Sequence, residues 1–217
     1  MTPIRDIVIL GAAGHAKVCI EVLRATGLYR PCVCLAPDST AAMILGVPIL
    51  RTSDWEGLAK LRSEGVSSAF VALGANHVRD HVGAAVAQAG FELITAVDPA
   101  AHLSPSARVG CGVLVMPGAI VNAEAVLGDL SIVNSAAVVE HDCRLGRASH
   151  VGPGAVLAGG VTLGDRAFIG VGAVVRPGIH VGADAQAGAG AAVVSDVEDT
   201  ATVVGIPARL LQRGRAL

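Results

Sequence analysis

The chain has 217 residues, room for two small domains, with 53% apolar residues, 16% charged residues and a formal net charge of -2. A disordered tail protein would be far more charged, and a phosphate-backbone binder would be basic. Phe, Trp and Tyr together number only five, too few for a base-stacking nucleic-acid module or an aromatic-rich sandwich. Mean hydropathy is high, +0.62, yet Gly and Pro interrupt every apolar stretch well short of the roughly 20 residues of a membrane span. Ile7 to Leu10 is too short for a secretory signal and runs at once into Gly11. The five cysteines (Cys19, Cys32, Cys34, Cys111, Cys143) are odd in number and form no CxxC, so reduced thiols in the cytoplasm are expected.

In chain order, the first hundred residues alternate strand and helix signals. Asp6 to Leu10 reads as a buried parallel strand ending at Gly11. Gly14 to Thr26 carries Val18, Val22 and Ala25 at helical spacing, and Gly27 closes it. Cys32 to Leu35 reads as a strand, and Thr52 to Glu64 as a helix with Thr52 or Ser53 as N-cap ahead of Asp54 and Glu56. Ser68 to Leu73 is a further strand, Val78 to Ala89 a helix ended by Gly90, and Phe91 to Val97 a last strand. Residues 1–98 therefore read as a small α/β unit of Rossmann type.

Residues 99–217 follow another period. From Leu103, every sixth residue to Val193 gives sixteen consecutive positions, of which fifteen are Leu, Ile or Val, the exception being Ala187. The residue four after each is small or β-branched (Ala107, Val113, Ala119, Ala125, Ser131, Ala137), and the residue after each is often Gly. An unbroken period of six is the mark of a β-helix, with one large and one small inward residue per short strand. The pattern resembles the hexapeptide repeat of left-handed parallel β-helix acyltransferases, in which three hexads make one 18-residue coil. Sixteen hexads give about five coils, a prism of about 25 Å at the roughly 4.8 Å spacing of paired strands.

The residue before each large inward position points outward, and these sort into three faces. Arg108, Val126, Arg144, Thr162, His180 and Glu198 form a mostly polar face, and Leu114, Ile132, His150, Phe168 and Gln186 a second. The third is wholly apolar: Ile120, Val138, Val156, Val174 and Ala192. A soluble monomer does not leave such a stripe in water. It is expected to pack against another subunit in a closed cyclic assembly, or else to be covered by the chain's own tail.

Chemistry-bearing side chains concentrate around Asn134, the run Glu140-His141-Asp142-Cys143, and His150. A step of 18 residues places Gly159 beside His141 and Phe168 beside His150. The Ala158-Gly159-Gly160 turn leaves space and backbone N–H groups next to an imidazole flanked by carboxylates, the parts an acyl transfer needs. Cys143 falls at a small inward position and reads as core, and His102 and His180 lack such neighbours. A zinc site of the carbonic-anhydrase kind would need a third ligand beside His141 and His150, and none is evident, so no metal is expected. In the first half, Gly11-Ala-Ala-Gly14-His15 follows a strand and opens a helix, a place that favours a phosphate, though it lacks the full dinucleotide fingerprint. Asp38 could hold a ribose or base edge or simply shape the turn after Pro37, and Gly74 and Asn76 stand at the same carboxyl edge of the sheet.

Together the Gly11–His15 loop, Asn134, the Glu140–Cys143 run, His150 and Val204-Gly-Ile-Pro-Ala208-Arg209 resemble the two-domain sugar-nucleotide N-acetyltransferases. That family includes the bacillosamine-pathway enzyme and relatives that O-acetylate sialic acid. The resemblance covers nearly the whole chain. It implies a homotrimer that transfers acetyl from acetyl-CoA to the C4 amine of a nucleotide-linked 4-amino-4,6-dideoxy hexose, GDP-perosamine first. It implies His141 as general base, Asp142 as its acidic partner, His150 and the Gly159 N–H on the acetyl-CoA side, and Gly11, Gly14, His15, Asp38, Gly74, Asn76 and Asn134 around the nucleotide sugar. The last run resembles the G-x-P-A-K/R element that closes acetyl-CoA sites. One departure is that the residue after the histidine is often Glu in this family and is Asp142 here. The residues by themselves leave open a UDP-linked amino sugar, a hydroxyl acceptor, a non-catalytic nucleotide-binding scaffold, and whether Glu140 or Asp142 serves His141.

Overall fold

The computed structural model describes residues 4–52 and 54–211, the side chains of 54–56 excepted. Two compact units emerge, 1–99 with 111–114, and 100–110 with 115–217.

The first unit is a six-stranded sheet in the order β3-β4-β2-β1-β5-β6, built from Arg5–Leu10 (β1), Tyr29–Leu35 (β2), Met43–Ile44 (β3), Val47–Leu50 (β4), Ser68–Val71 (β5) and Glu92–Leu93 (β6). Its helices are Gly14–Ala25 (α1), Asp54–Ser63 (α2) and Asn76–Gln88 (α3). Ser53, one of the two expected N-caps of α2, lies outside the described residues. β1 pairs in parallel with β2 on one side and β5 on the other. Ile7, Val8, Ile9 and Leu10 are all buried, so β1 is the apolar spine that its unbroken aliphatic run demands. Strand order reverses at β1, which opens a crevice at the carboxyl ends of β1, β2 and β5. Gly11 stands there with φ 112°, and a Cβ would lie 2.9 Å from the Ala72 carbonyl oxygen, so only glycine fits.

Two features differ from the sequence reading. A hairpin of β3 and β4 occupies residues that carried no element, turning at Leu45 and Gly46 with φ 47° and 76°. Its turn puts Leu where Asn or Asp usually signals such a turn, so no hairpin motif was visible. The strand expected over Phe91 to Val97 is two short pieces, β6 and Ala96–Val97 (β7), because β6 pairs with β5 while Ala96 N–H donates to the Val113 carbonyl.

In the second unit, sixteen two-residue strands (β8–β23) recur at six-residue spacing from His102–Leu103 to Ala192–Val193. Each strand ends on a hexad position, and β8 to β20 each pair in parallel with the strand 18 residues on, as Val138–Val139 does with Val156–Leu157. Three parallel stacks result, the walls of a left-handed β-helix. The large inward residues Val121, Leu127, Val133, Val139, Leu145, Val151 and Leu157 are buried, as are the small ones Ala119, Ala125, Ala137, Cys143 and Ala155. Corners place non-glycine residues in the left-handed region, among them Asp142 at φ 61° and Ala148 at 52°. Thr202–Val204 (β24) and Arg209–Leu210 (β25) form a closing antiparallel pair. The third face stays open: Ile120 and Val174 are 37% and 47% exposed, and the described part of the tail does not cover them.

Candidate active site

His141 occupies the corner after Val138–Val139, and the left-handed backbone of Asp142 belongs to the same turn. His141 Nδ1 lies 2.8 Å from Asp142 Oδ2. A carboxylate only accepts, so Nδ1 carries the proton and the lone pair of the neutral ring sits on Nε2. That hydrogen bond foremost, with the charges of Asp142 and Glu140 behind it, raises the His141 pKa above the ordinary histidine value. Asp142, not Glu140, is therefore the hydrogen-bonded partner, and Glu140 acts only through its field.

The next coil fits against this imidazole. A Cβ built on Gly159 would fall 2.5 Å from His141 Cε1 and 2.6 Å from Nε2, so the imidazole packs directly against the glycine with these two ring atoms nearest. Gly160 N–H donates to the His141 carbonyl at 2.9 Å and locks the two coils in register. The Gly159 N–H has no acceptor among the described residues. Both side chains of the His141–Asp142 pair are mostly exposed, 63% and 66%, on the corner between the apolar third face and the polar face. Cys143 is fully buried, its thiol bonded to the Ala158 carbonyl at 3.2 Å and its pKa raised by burial, so it is core and not a nucleophile.

His150 lies between Ile132 and Phe168 in the second stack. Its ring meets Phe168 edge-on at 5.2 Å between centroids. Although it points out of the prism, it is buried, and sequence position alone did not require that. Asn134 Nδ2 approaches His150 Nε2 at 2.9 Å, while Asn134 Oδ1 accepts the Ser135 N–H at 2.8 Å. The amide must therefore donate to Nε2, which leaves His150 neutral with its proton on Nδ1. Asn134, expected from sequence beside the nucleotide sugar, also sets the His150 tautomer.

In the first unit a cleft of about 400 Å³ opens at the carboxyl edge, lined by Gly11 to Ala13, Leu35 to Ser39, Leu73 and Val78 among others. Asp38 and Gly11 are in its wall. Gly14 lines a second hollow of about 490 Å³ on the other side of the Ala12–Ala13 segment, together with Lys17 and the β3–β4 hairpin. Gly74 is exposed with open space where a Cβ would stand, and Asn76 opens α3 two residues on. His15 is half-buried; its Nε2 is enclosed with no hydrogen-bond partner among the described residues. Burial, and then the charge of Arg79, push its pKa down to about 4, so the ring is neutral. Neither α1 nor α3 has a side-chain cap or an acidic residue in its first turn, so both N-termini keep their positive ends.

One residue escaped the sequence reading. Arg79 is 1% exposed and binds the carbonyls of Leu73 and Gly74. The signal was present, because Arg79, Val82, Gly83 and Val86 share one helical face. Among the described residues no three His, Cys, Asp or Glu side chains converge as a metal site would require, and no helix is long and apolar enough to cross a membrane.

Comparison with known proteins agrees with this anatomy. Residues 6–86 match the PglD N-terminal domain, and residues 142–177 match the bacterial transferase hexapeptide (six repeats). A variant of perosamine N-acetyltransferase from Caulobacter crescentus, in complex with CoA and GDP-perosamine, is 47% identical over 98% of this chain and 99% of that one, with a TM-score of 0.92. The acetyltransferase domain of PglB from Neisseria gonorrhoeae, in complex with acetyl coenzyme A, is 40% identical over 96% of this chain and 100% of that one, with a TM-score of 0.90. WeeI from Acinetobacter baumannii, at 24% identity over 95% of this chain and 100% of that one and a TM-score of 0.85, shares the fold. The chain belongs to the family of sugar N-acetyltransferases that join a PglD-type N-terminal domain to a hexapeptide-repeat β-helix.

Proposed function

We propose that this protein transfers the acetyl group of acetyl-CoA to the C4 amine of a nucleotide-linked 4-amino-4,6-dideoxy hexose, GDP-perosamine being the substrate. The observation that carries the reading is the His141–Asp142 pair laid over Gly159, in a chain nearly half identical to an enzyme that holds CoA and GDP-perosamine. The neutral amine attacks the thioester carbonyl. His141 Nε2 takes the proton that the nitrogen sheds, Asp142 steadies the imidazolium, and the Gly159 N–H faces the oxygen as charge develops. Collapse expels the CoA thiolate, which receives that proton and leaves as free thiol. No covalent enzyme intermediate is needed.

The nucleotide belongs in the cleft of the 1–98 domain, with Asp38 at the ribose or base edge. The phosphates belong at the carboxyl edge marked by Gly11, Gly14, His15, Gly74 and Asn76. His150, oriented by Asn134, serves the pantetheine end of acetyl-CoA, and the whole reaction is cytoplasmic. The exposed apolar stripe of the 99–217 domain packs in a homotrimer, and the His141 corner borders that stripe, so a neighbouring subunit walls an otherwise open site. The test is thiol release from acetyl-CoA with GDP-perosamine, with UDP-linked 4-amino sugars and with hydroxyl sugars. Release with GDP-perosamine that falls 10²–10⁴-fold in His141→Ala supports the reading. Full activity in that variant removes His141 from the role, and release with hydroxyl sugars alone overturns N-acetylation.

A further inference from the structure

A buried guanidinium is costly unless its N–H groups are used and the result is worth keeping. Arg79 lies in the first turn of α3, yet its side chain turns back on the chain that precedes it. Nη1 donates to the carbonyls of Leu73 at 3.0 Å and Gly74 at 3.1 Å, and Nη2 donates to Asn76 Oδ1 at 2.9 Å. The two carbonyls lie in the turn between β5 and α3, and Asn76 is the first residue of α3. In a trans peptide the C=O and the following N–H point in opposite directions. Carbonyls 73 and 74 held inward on the guanidinium therefore turn the N–H groups of Gly74 and Ala75 outward. Gly74 and Ala75 are exposed, and neither N–H has an acceptor among the described residues. Leu73, at the start of the same turn, lines the 400 Å³ cleft.

We propose that Arg79 is a positioning residue for the nucleotide sugar: it holds the β5–α3 turn so that two successive backbone amides face a phosphate oxygen at the carboxyl edge of the sheet. The proposal rests on the nucleotide occupying that edge, as argued above. An apolar residue at 79 would fill the same face of α3 beside Val82 and Val86 but would release both carbonyls. The amides would then sample other directions. A lysine would keep one charged donor but lose the fork that spans both carbonyls and Asn76.

The experiment measures GDP binding and steady-state kinetics on the full-length wild type, Arg79→Met and Arg79→Lys. For Arg79→Met the KM for GDP-perosamine and the Kd for GDP should rise about tenfold or more, with the KM for acetyl-CoA and the kcat at saturation within twofold of wild type. Arg79→Lys should fall between the two, and added methylguanidinium should lower the raised KM of Arg79→Met. A merely structural role would move acetyl-CoA and GDP-perosamine parameters together and would give no rescue. An unchanged GDP affinity in folded Arg79→Met overturns the positioning role while leaving the site reading intact. Absence of GDP binding in the wild type overturns the site reading itself. Should Arg79→Met not fold, Arg79→Lys carries the test alone: a KM for GDP-perosamine raised about threefold with the KM for acetyl-CoA unchanged supports the proposal, and an unchanged KM for GDP-perosamine refutes it.

Discussion

Gly159→Ala tests the catalytic reading without replacing a charged or titrating group. Its backbone lies outside the left-handed region, and the residue is in a half-exposed turn, so the added methyl by itself costs the fold little, within about 0.5 kcal/mol. The methyl carbon, however, would sit 2.5 Å from His141 Cε1. Carbon contacts are comfortable at about 3.5 Å, so the ring must move by about 1 Å. That displacement carries Nε2 away from the attacking nitrogen and strains the bond to Asp142. A 1 Å misplacement of a reacting group costs roughly 10²-fold in rate. The expected result is a kcat reduced about 100-fold with an unchanged thermal melting point and unchanged assembly by sedimentation. Gly160→Ala is the control. Gly160 has φ 71°, so alanine there costs up to about 1 kcal/mol of stability, but the nearest atom to its Cβ is Gly178 Cα at 4.0 Å, and the imidazole is left alone. A folded Gly159→Ala enzyme with kcat within twofold of wild type would refute the placement of the base.

The remaining expectations follow from other parts of the molecule. The base role proposed for His141 requires Nε2 unprotonated, and Asp142 raises its pKa; Asp142→Asn removes the largest cause, so the acid limb of the kcat–pH profile should move to lower pH while the plateau falls. His150→Ala should raise the KM for acetyl-CoA more than that for the nucleotide sugar, read from initial rates. If the proposed trimer forms through the open apolar face, Val174→Lys should shift sedimentation toward monomer, and an unchanged sedimentation would count against that face as the interface. Ser131 Oγ is enclosed with no hydrogen-bond partner among the described residues, so Ser131→Ala should be neutral or stabilise the fold by up to about 1 kcal/mol in urea unfolding.

The β-helix was legible because its period is written in side chains whose fate is local. Each Leu, Ile or Val of the hexad fills the prism without help from distant sequence, and the strands end on those residues. The α/β unit was legible where apolar runs were long, as in β1, and illegible where geometry was set by an atypical turn. Leu45 accepts the left-handed conformation in the hairpin, and nothing in its side chain announces that. The termini of α3 moved for a similar reason: α3 begins at Asn76, two residues before the first aliphatic of its pattern.

The site was legible to the depth that coil arithmetic reaches. Adding 18 placed Gly159 against His141 and Phe168 against His150, and both contacts are present. Arithmetic could not choose between Glu140 and Asp142, because that depends on which carboxylate the corner turns toward Nδ1. Side-chain composition also hid Arg79, which reads as one more solvated cation of a surface helix until its place on the Val82–Val86 face is noticed. In both cases the decisive fact is a direction, not a residue type. Asp142 matters because a left-handed corner brings its carboxylate to the ring, and Arg79 because a reversed side chain turns carbonyls in and amides out. Sequence periodicity fixes which residues are neighbours, whereas the direction of a single peptide plane or carboxylate is decided by the packed backbone around it.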